Sequence, residues 1–542
     1  MWVLLLVGLQ LLVSTTICSA AFNTATCAAM NQESLDEANK LTESVSDVLV
    51  GEGKPFAKAV DGVMVTVVNS TNGDSDGGAT NPNGSYMSIY LLTDEGSAFL
   101  PKGACDFPAC TNGTGTFECH DRCVQTAQGR VSMQYLLGPA DALVVTLCTP
   151  PEMKYFSYDT YIGTRTTHDP EPFYPGQNFG DSINMLNINL SAKASSEYLQ
   201  PAAFVQTADG AAAKIISDAY GEAGLDAGSV SVRAIDSDIV RMWDRTQDQT
   251  TAPAGGEADF LLSVMRLSVP YAKSTAQFEQ YQLASWPVKL YLAADDAQAA
   301  EPLHPALTSR FSDAVIDEQA TYGKLIDTLE ASIKGHWSDK DMSKACTQML
   351  NTTTLGSYDD WTEILHAANN QSFVLPTRDA TYGMPFGAFD ENGDGCAIAA
   401  SDKHVGVVFG VLHDETLQLS YSQISMAVLK LGVKKIAETL SFETGAQLKG
   451  SARRYLSPEV LEAVAKDGID ADLLYAVDIK GPGACTSAEK SSGICLEWGD
   501  YSKATLPPIV ILGERMYCSK ATSVGPDATQ TVASRMMSFG PG

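Results

Sequence analysis

The sequence predicts an α+β fold, and three observations carry that prediction. Short runs with two-residue apolar alternation recur along most of the chain, as half-buried strands require. Segments with three- and four-residue apolar spacing lie between them, the pattern of amphipathic helices. Polar stretches rich in glycine, asparagine and proline separate the two kinds. At 542 residues the chain exceeds one ordinary core, and about 150 residues per domain gives two to four units. The expected organisation is a signal peptide over 1–20, a β-rich disulfide-containing region over 21–199, a ferredoxin-like β-α-β-β-α-β unit at about 200–294, and a second α+β domain over 302–542.

The N-terminus supplies the first element. Val3 to Val13 form an apolar run interrupted by Gly8 and Gln10, and Ser14 to Ala20 are small and polar. That succession reads as a cleaved secretory signal, although its start lacks Lys and Arg. A retained anchor is the alternative, and no later run reaches the roughly 20 apolar residues of a membrane span. Secretion agrees with N-x-S/T sequons at Asn69, Asn83, Asn112, Asn189, Asn351 and Asn370. It also agrees with eleven cysteines beyond Cys18. In an oxidising compartment these pair, and an odd number leaves one over. The net charge of −29 repels phosphates, which argues against nucleic-acid and anionic-membrane partners.

Residues 21–150 read as β-rich, with strands over Val63–Val68, Tyr86–Leu92 and Ala142–Leu147. Gly73–Gly77 matches G-x-S-x-G, but a second strand follows where a nucleophile elbow needs a helix. Cys105, Cys110, Cys119 and Cys123 surround His120, and in a secreted chain a disulfide-stapled loop is favoured over zinc. Residues 152–190 read as a long aromatic loop. Tyr155, Tyr158 and Tyr161, with Asp181, are candidate ligand-binding residues, because aromatic faces beside a carboxylate suit a sugar or planar molecule. Gly180-Asp181-Ser182 matches a lipase block formally but lacks the preceding strand.

Between 200 and 294 the order is strand, helix, strand, strand, helix, strand, which predicts the ferredoxin-like unit. Ser274 and Gln277 have capping-box spacing at the second helix. The acidic stretch 294–301 marks a boundary. Beyond it Val315, Tyr322, Ile326, Leu329 and Ile333 form one helical stripe. Ser457-Pro458 opens a short helix that Gly468 ends. Leu473–Ile479 and Ile509–Leu512 are further strands, and the polar tail from Glu514 is expected to wrap the domain.

The candidate chemistry concentrates at 385–426. Asp390, Asn392 and Asp394 occupy alternate positions ahead of Gly395, a spacing that converges oxygen ligands on calcium, the candidate cofactor. Ser401 stands where an EF-hand carries Glu, so an EF-hand is not expected. His404 and His413 flank the apolar run VGVVFGVL, nine residues apart. An extended strand separates them by roughly 30 Å, which excludes a shared metal or proton relay. His413 is the candidate general base, with Asp414, Tyr421 or Arg165 assisting. H-E-x-x-H, P-loop and C-x-x-C-H motifs are absent from the sequence. The leading expectation is a secreted acidic glycoprotein that binds a small molecule or glycan. The alternatives are a secreted hydrolase or lyase based on His413, and a structural or recognition protein of the extracellular matrix or cell surface.

Overall fold

The computed structural model describes residues 22–69, 84–93, 123–126, 129–165, 176–246, 258–340, 342–353, 377–389, 396, 398, 400–401, 403–430, 435–500 and 508–541. They form two compact units, divided between Leu307 and Thr308. Helices and strands are mixed in both, as an α+β fold requires.

The first unit begins with helices α1 (Thr24–Ala29) and α2 (Gln32–Leu49). The sequence reading took this stretch as part of a β-rich region. Its apolar residues Ala38, Leu41, Val45 and Leu49 are buried at helical spacing, and Asn31 and Ser34 close a capping box at its start. Strands β1 (Lys58–Asn69), β2 (Gly84–Leu92), β3 (Cys123–Thr126), β4 (Gly129–Ser132), β5 (Gln134–Tyr135), β6 (Ala142–Cys148), β7 (Met153–Arg165), β8 (Gln177–Asn178) and β9 (Ile183–Asn184) follow. The unit closes with β10 (Pro201–Thr207), α3 (Gly210–Glu222), β11 (Val230–Ala234), β12 (Asp259–Pro270), α4 (Thr275–Leu283) and β13 (Trp286–Leu292).

The second unit opens with α5 (Glu318–Ser338), followed by β14 (Met342–Thr353), β15 (Ala380–Phe389) and β16 (Val405–Val411). The single turn α6 (His413–Thr416) leads to β17 (Leu419–Lys430) and β18 (Lys435–Glu443). Then come α7 (Pro458–Lys466), β19 (Leu474–Lys480), α8 (Ser487–Ser491), β20 (Cys495–Glu497), β21 (Ile509–Ser519) and β22 (Arg535–Pro541).

Each unit is built on one curled sheet, and nine strands of the 13-stranded first sheet follow the same topology as the 9-stranded second. The first runs β11-β10-β6-β13-β1-β2-β12-β7-β8, and the second runs β20-β19-β16-β22-β14-β15-β21-β17-β18. Numbered by chain order along these paths, both read 7-6-3-9-1-2-8-4-5. Among the described strands a single parallel pair falls at the same place in each sheet, β10 with β11 and β19 with β20. A helix precedes the first strand in both, and a helix bridges each parallel pair. The chain is therefore a structural tandem repeat.

The six elements read as ferredoxin-like all form, but they do not make that unit. Among their strands only β10 and β11 pair with each other, while β12 and β13 are separated by β1 and β2. Strands from before and after residue 200 share one sheet, so periodicity identified the elements and missed their partners. The expected capping box at α4 is also absent: Ser274 makes no capping bond, and Gln277 donates to the Ala28 carbonyl at 3.1 Å. The first part of the segment read as an aromatic loop forms β7, buried along almost its whole length. The tail expected to wrap the second unit supplies β22, inserted between β14 and β16.

In the second unit the core lies on both faces of these central strands. Tyr322, Ile326, Leu329, Ile333 and Trp337 of α5 pack on Val407, Phe409 and Val411 together with Met537 and Phe539. Burying each such side chain contributes about 1.5–3 kcal/mol. Val408 and Met536 face the other way, among Ile424, Met426, Val477 and Leu512. Strands covered on both faces must be apolar at every position, which accounts for the continuous run VGVVFGV. Val315 lies outside α5 and packs instead beside Leu417, Leu419 and Met516.

Disulfides join Cys27 to Cys148, Cys346 to Cys396, and Cys485 to Cys495. Cys518 is buried in thiol form. The cluster Cys105, Cys110 and Cys119 lies outside the described residues. No helix among the described residues is long and apolar enough to cross a membrane. The Cys27–Cys148 bridge closes a separation of 121 residues, and removing a loop-closing bridge of this kind costs about 2–5 kcal/mol. A Cys27→Ala/Cys148→Ala chain should therefore show its lowest urea midpoint shifted down, and an unchanged midpoint would show the bridge to be dispensable.

Candidate functional site

A buried cluster of titratable groups in the second unit gathers at the end of β16. The strand delivers Leu412 and then His413, which opens the turn α6 and is fully buried. Its Nδ1 lies 2.8 Å from Glu318 Oε1 and 3.0 Å from Oε2. Its Nε2 lies 3.1 Å from Glu514 Oε1. A carboxylate at each ring nitrogen requires a proton on both, so the ring is an imidazolium. Burial alone would push its pKa down, but Glu318, with Glu514 beside it, outweighs that and holds it well above the ordinary histidine value.

The carboxylates are themselves fastened. Glu318 begins α5 and accepts from Thr416 Oγ1 and from the Val532 amide at 3.0 Å. Glu514 projects inward from β21 and accepts from the Ser534 amide at 3.0 Å and its hydroxyl at 2.7 Å. Ser534 in turn lies 2.6 Å from the Tyr475 hydroxyl. The triad thus joins α5, α6, β21 and the chain entering β22. With both nitrogens donating internally and no exposure to solvent, His413 has no atom to offer as a base to a substrate. The carboxylates at its ring nitrogens are Glu318 and Glu514, not the expected Asp414. Asp414 is partly buried beside it, and Tyr421 stacks on Tyr517 with ring centres 5.7 Å apart. Glu318 and Glu514 hold it instead.

Arg165 belongs to the first unit, where both arms of its guanidinium grip Asp259 at 2.8 and 2.7 Å and one donates to the Ile239 carbonyl at 2.8 Å. It is a structural ion pair of that sheet. The candidate ligand-binding tyrosines are buried in the same unit. Tyr155 donates to Ser157 at 2.6 Å. Tyr158 packs on Phe204 and, with Thr160 and Ser263, donates to Gln206, whose amide donates to the Tyr135 hydroxyl at 2.8 Å. Burial raises the Tyr158 phenol above its usual pKa, so it remains a neutral donor.

On the other face of β7, Tyr161 donates to Asp159 at 3.0 Å. Asp159 also accepts from Asn178 at 2.8 and 2.7 Å, and faces Arg266 at 3.3 Å and Arg233 at 3.5 Å. Arg233 lies over the Phe179 ring. Asp181 is half-buried next to Gly180, whose carbonyl accepts from Arg233 at 3.3 Å. The structure therefore brings Tyr158 and Tyr161 into hydrogen-bonded networks, but their faces are covered and form no open platform. The metal candidates Asp390, Asn392 and Asp394 lie outside the described residues.

Two residues of the His413 triad went unnoticed in the sequence. Glu514 carried a usable signal: it shares the inward phase of β21 with Val510, Leu512 and Met516, and a carboxylate in an apolar phase needs a partner. Glu318 carried none, since an acidic residue in a first helical turn is ordinary. Comparison with protein-family models and with curated proteins finds no match to this chain.

Replacing His413 by Ala leaves two buried carboxylates facing each other, and breaking a buried ion pair costs about 3–5 kcal/mol. Urea unfolding of His413→Ala should show that loss for the second unit. The pH dependence has a definite sign. The protonated ring's contribution is complete below the unfolded histidine pKa of about 6.5 and is lost as pH rises through the elevated folded value. Wild-type stability relative to His413→Gln should therefore shrink from neutral to alkaline pH. A constant difference would contradict the imidazolium.

Proposed function

We propose that the protein is a secreted, acidic, disulfide-stapled glycoprotein that binds a small ligand or glycan and performs no catalysis at His413. The observation that supports this most directly is the closure of His413: its two ring nitrogens are committed to Glu318 and Glu514 in a site without solvent exposure. General-base catalysis requires a nitrogen within hydrogen-bond reach of the substrate proton. The three disulfides among the described residues agree with an oxidising compartment. Two of the sequons, Asn189 and Asn351, are solvent-exposed and open to glycosylation on this reading. The recognition protein of a matrix or cell surface is the neighbouring reading, favoured by the tandem repeat of one scaffold.

Purified secreted protein should bind members of a glycan and metabolite panel. Chromogenic esters, glycosides and phosphates should show no turnover that depends on His413. Turnover abolished in His413→Gln, measured below that variant's melting midpoint, would overturn the proposal. Calcium at Asp390, Asn392 and Asp394 belongs to the same proposal as a structural ion. Calcium added to chelator-stripped protein should raise the melting midpoint, and an unmoved midpoint removes it.

A further inference from the structure

The two parallel strands of the first unit, β10 and β11, end side by side, and the chain leaves both at one edge of the sheet. In open α/β arrangements ligands collect at this carboxyl edge. Just beyond β11 stand Asp236 and Asp238. Across from them is His304, brought there by the segment that follows β13. That segment is fastened by an isolated bridge between Asp209 and Pro302. The Gly210 amide donates to the Glu301 carbonyl at 2.8 Å, and the Leu303 amide to the Ala208 carbonyl at 2.9 Å. The Asp209 side chain, which caps α3, also accepts from the Glu301 amide at 2.9 Å. His304 is thus held on an anchored backbone and not on a free loop.

The three side chains each offer one ligand atom, and those atoms lie within 4.8 Å of one another. His304 Nδ1 stands 3.3 Å from Asp236 Oδ1 and 3.5 Å from Asp238 Oδ2. Ligands around a tetrahedral zinc ion with bonds of about 2.0–2.1 Å are separated by about 3.3–3.4 Å. The two edges from His304 match that spacing, and the edge between the carboxylates lies within 4.8 Å. Charge points the same way. Asp236 is buried, with 7% of its side chain exposed. Among the described residues no lysine or arginine pairs with either aspartate. Asp236 Oδ1 accepts from the Asp238 amide at 2.9 Å, and a cation placed between the two carboxylates is stabilised by both.

We propose that Asp236, Asp238 and His304 bind one zinc-class divalent transition-metal ion, with a further coordination position open to water or an external ligand. The donor set selects the class. Calcium and magnesium take oxygen ligands almost exclusively, whereas an imidazole nitrogen with two carboxylates suits zinc, manganese or iron. The open position follows from exposure: the His304 and Asp238 side chains are 53% and 81% exposed, so the outer side of the ion faces solvent. Three protein ligands and one exchangeable position distinguish such a site from a closed structural one. This inference stands independently of the reading for His413.

The test uses untagged full-length protein, stripped with chelator and dialysed, titrated calorimetrically with zinc, manganese and calcium. Zinc should saturate a site that is at least tenfold weaker in both His304→Ala and Asp238→Asn. Both positions are exposed, so each variant's metal-free melting midpoint should match wild type. Zinc binding that is unsaturable, or equal in wild type and both variants, would overturn the proposal. A site that prefers calcium and ignores His304→Ala would overturn it as well.

Discussion

A charged imidazole can be enclosed in a protein only if each of its donors meets a carboxylate or another strong acceptor, and the second unit is arranged around that requirement at His413. Glu318 fixes the start of α5, Glu514 fixes β21, and the Val532 and Ser534 amides bind the chain entering β22 to the same two carboxylates. Four segments distant in sequence thus meet at one ring. The hydrophobic layers beside it are not directional, so they fill the space without fixing which segment lies where. Directional charge-assisted hydrogen bonds do fix it.

The tandem repeat shows what this arrangement replaces. In the first unit the third strand, β6, ends at Cys148, which is bonded to Cys27 in the helix just before α2. In the second unit the third strand, β16, is followed by His413, which is bonded to Glu318 at the start of α5, the counterpart of α2. The same strand end is tied to the same helical region by a covalent bridge in one copy and by a buried ion pair in the other. The tie in the second copy is therefore sensitive to protonation, where that in the first is sensitive to reduction.

Much of the local structure was legible before any tertiary information. The run VGVVFGV announced a strand covered on both faces, and Ser457-Pro458 announced α7, whose Ser457 side chain accepts from the Val460 amide. The stripe Tyr322, Ile326, Leu329, Ile333 announced the buried face of α5. Failures fell where a local pattern had two structural meanings. Tyr155, Tyr158 and Tyr161 suit an exposed platform or a buried strand equally well, and β12 and the elements flanking β7 chose the strand. Met536, Met537 and Phe539 sit in a polar tail, yet alternation sends Met536 to one core face and Met537 and Phe539 to the other.

The sequence by itself determined the α+β class, several strand and helix positions, and the placement of His413 at the end of a buried strand. These depend on composition and spacing within a window of a dozen residues. Only the tertiary structure decided that the two units repeat one topology, that Glu318 and Glu514 enclose His413, and that Asp236 and Asp238 meet His304. Each of those depends on pairing across many tens of residues. Strand order is set by which edges meet and by the burial that meeting achieves, and no periodicity within a single strand encodes the identity of its neighbour.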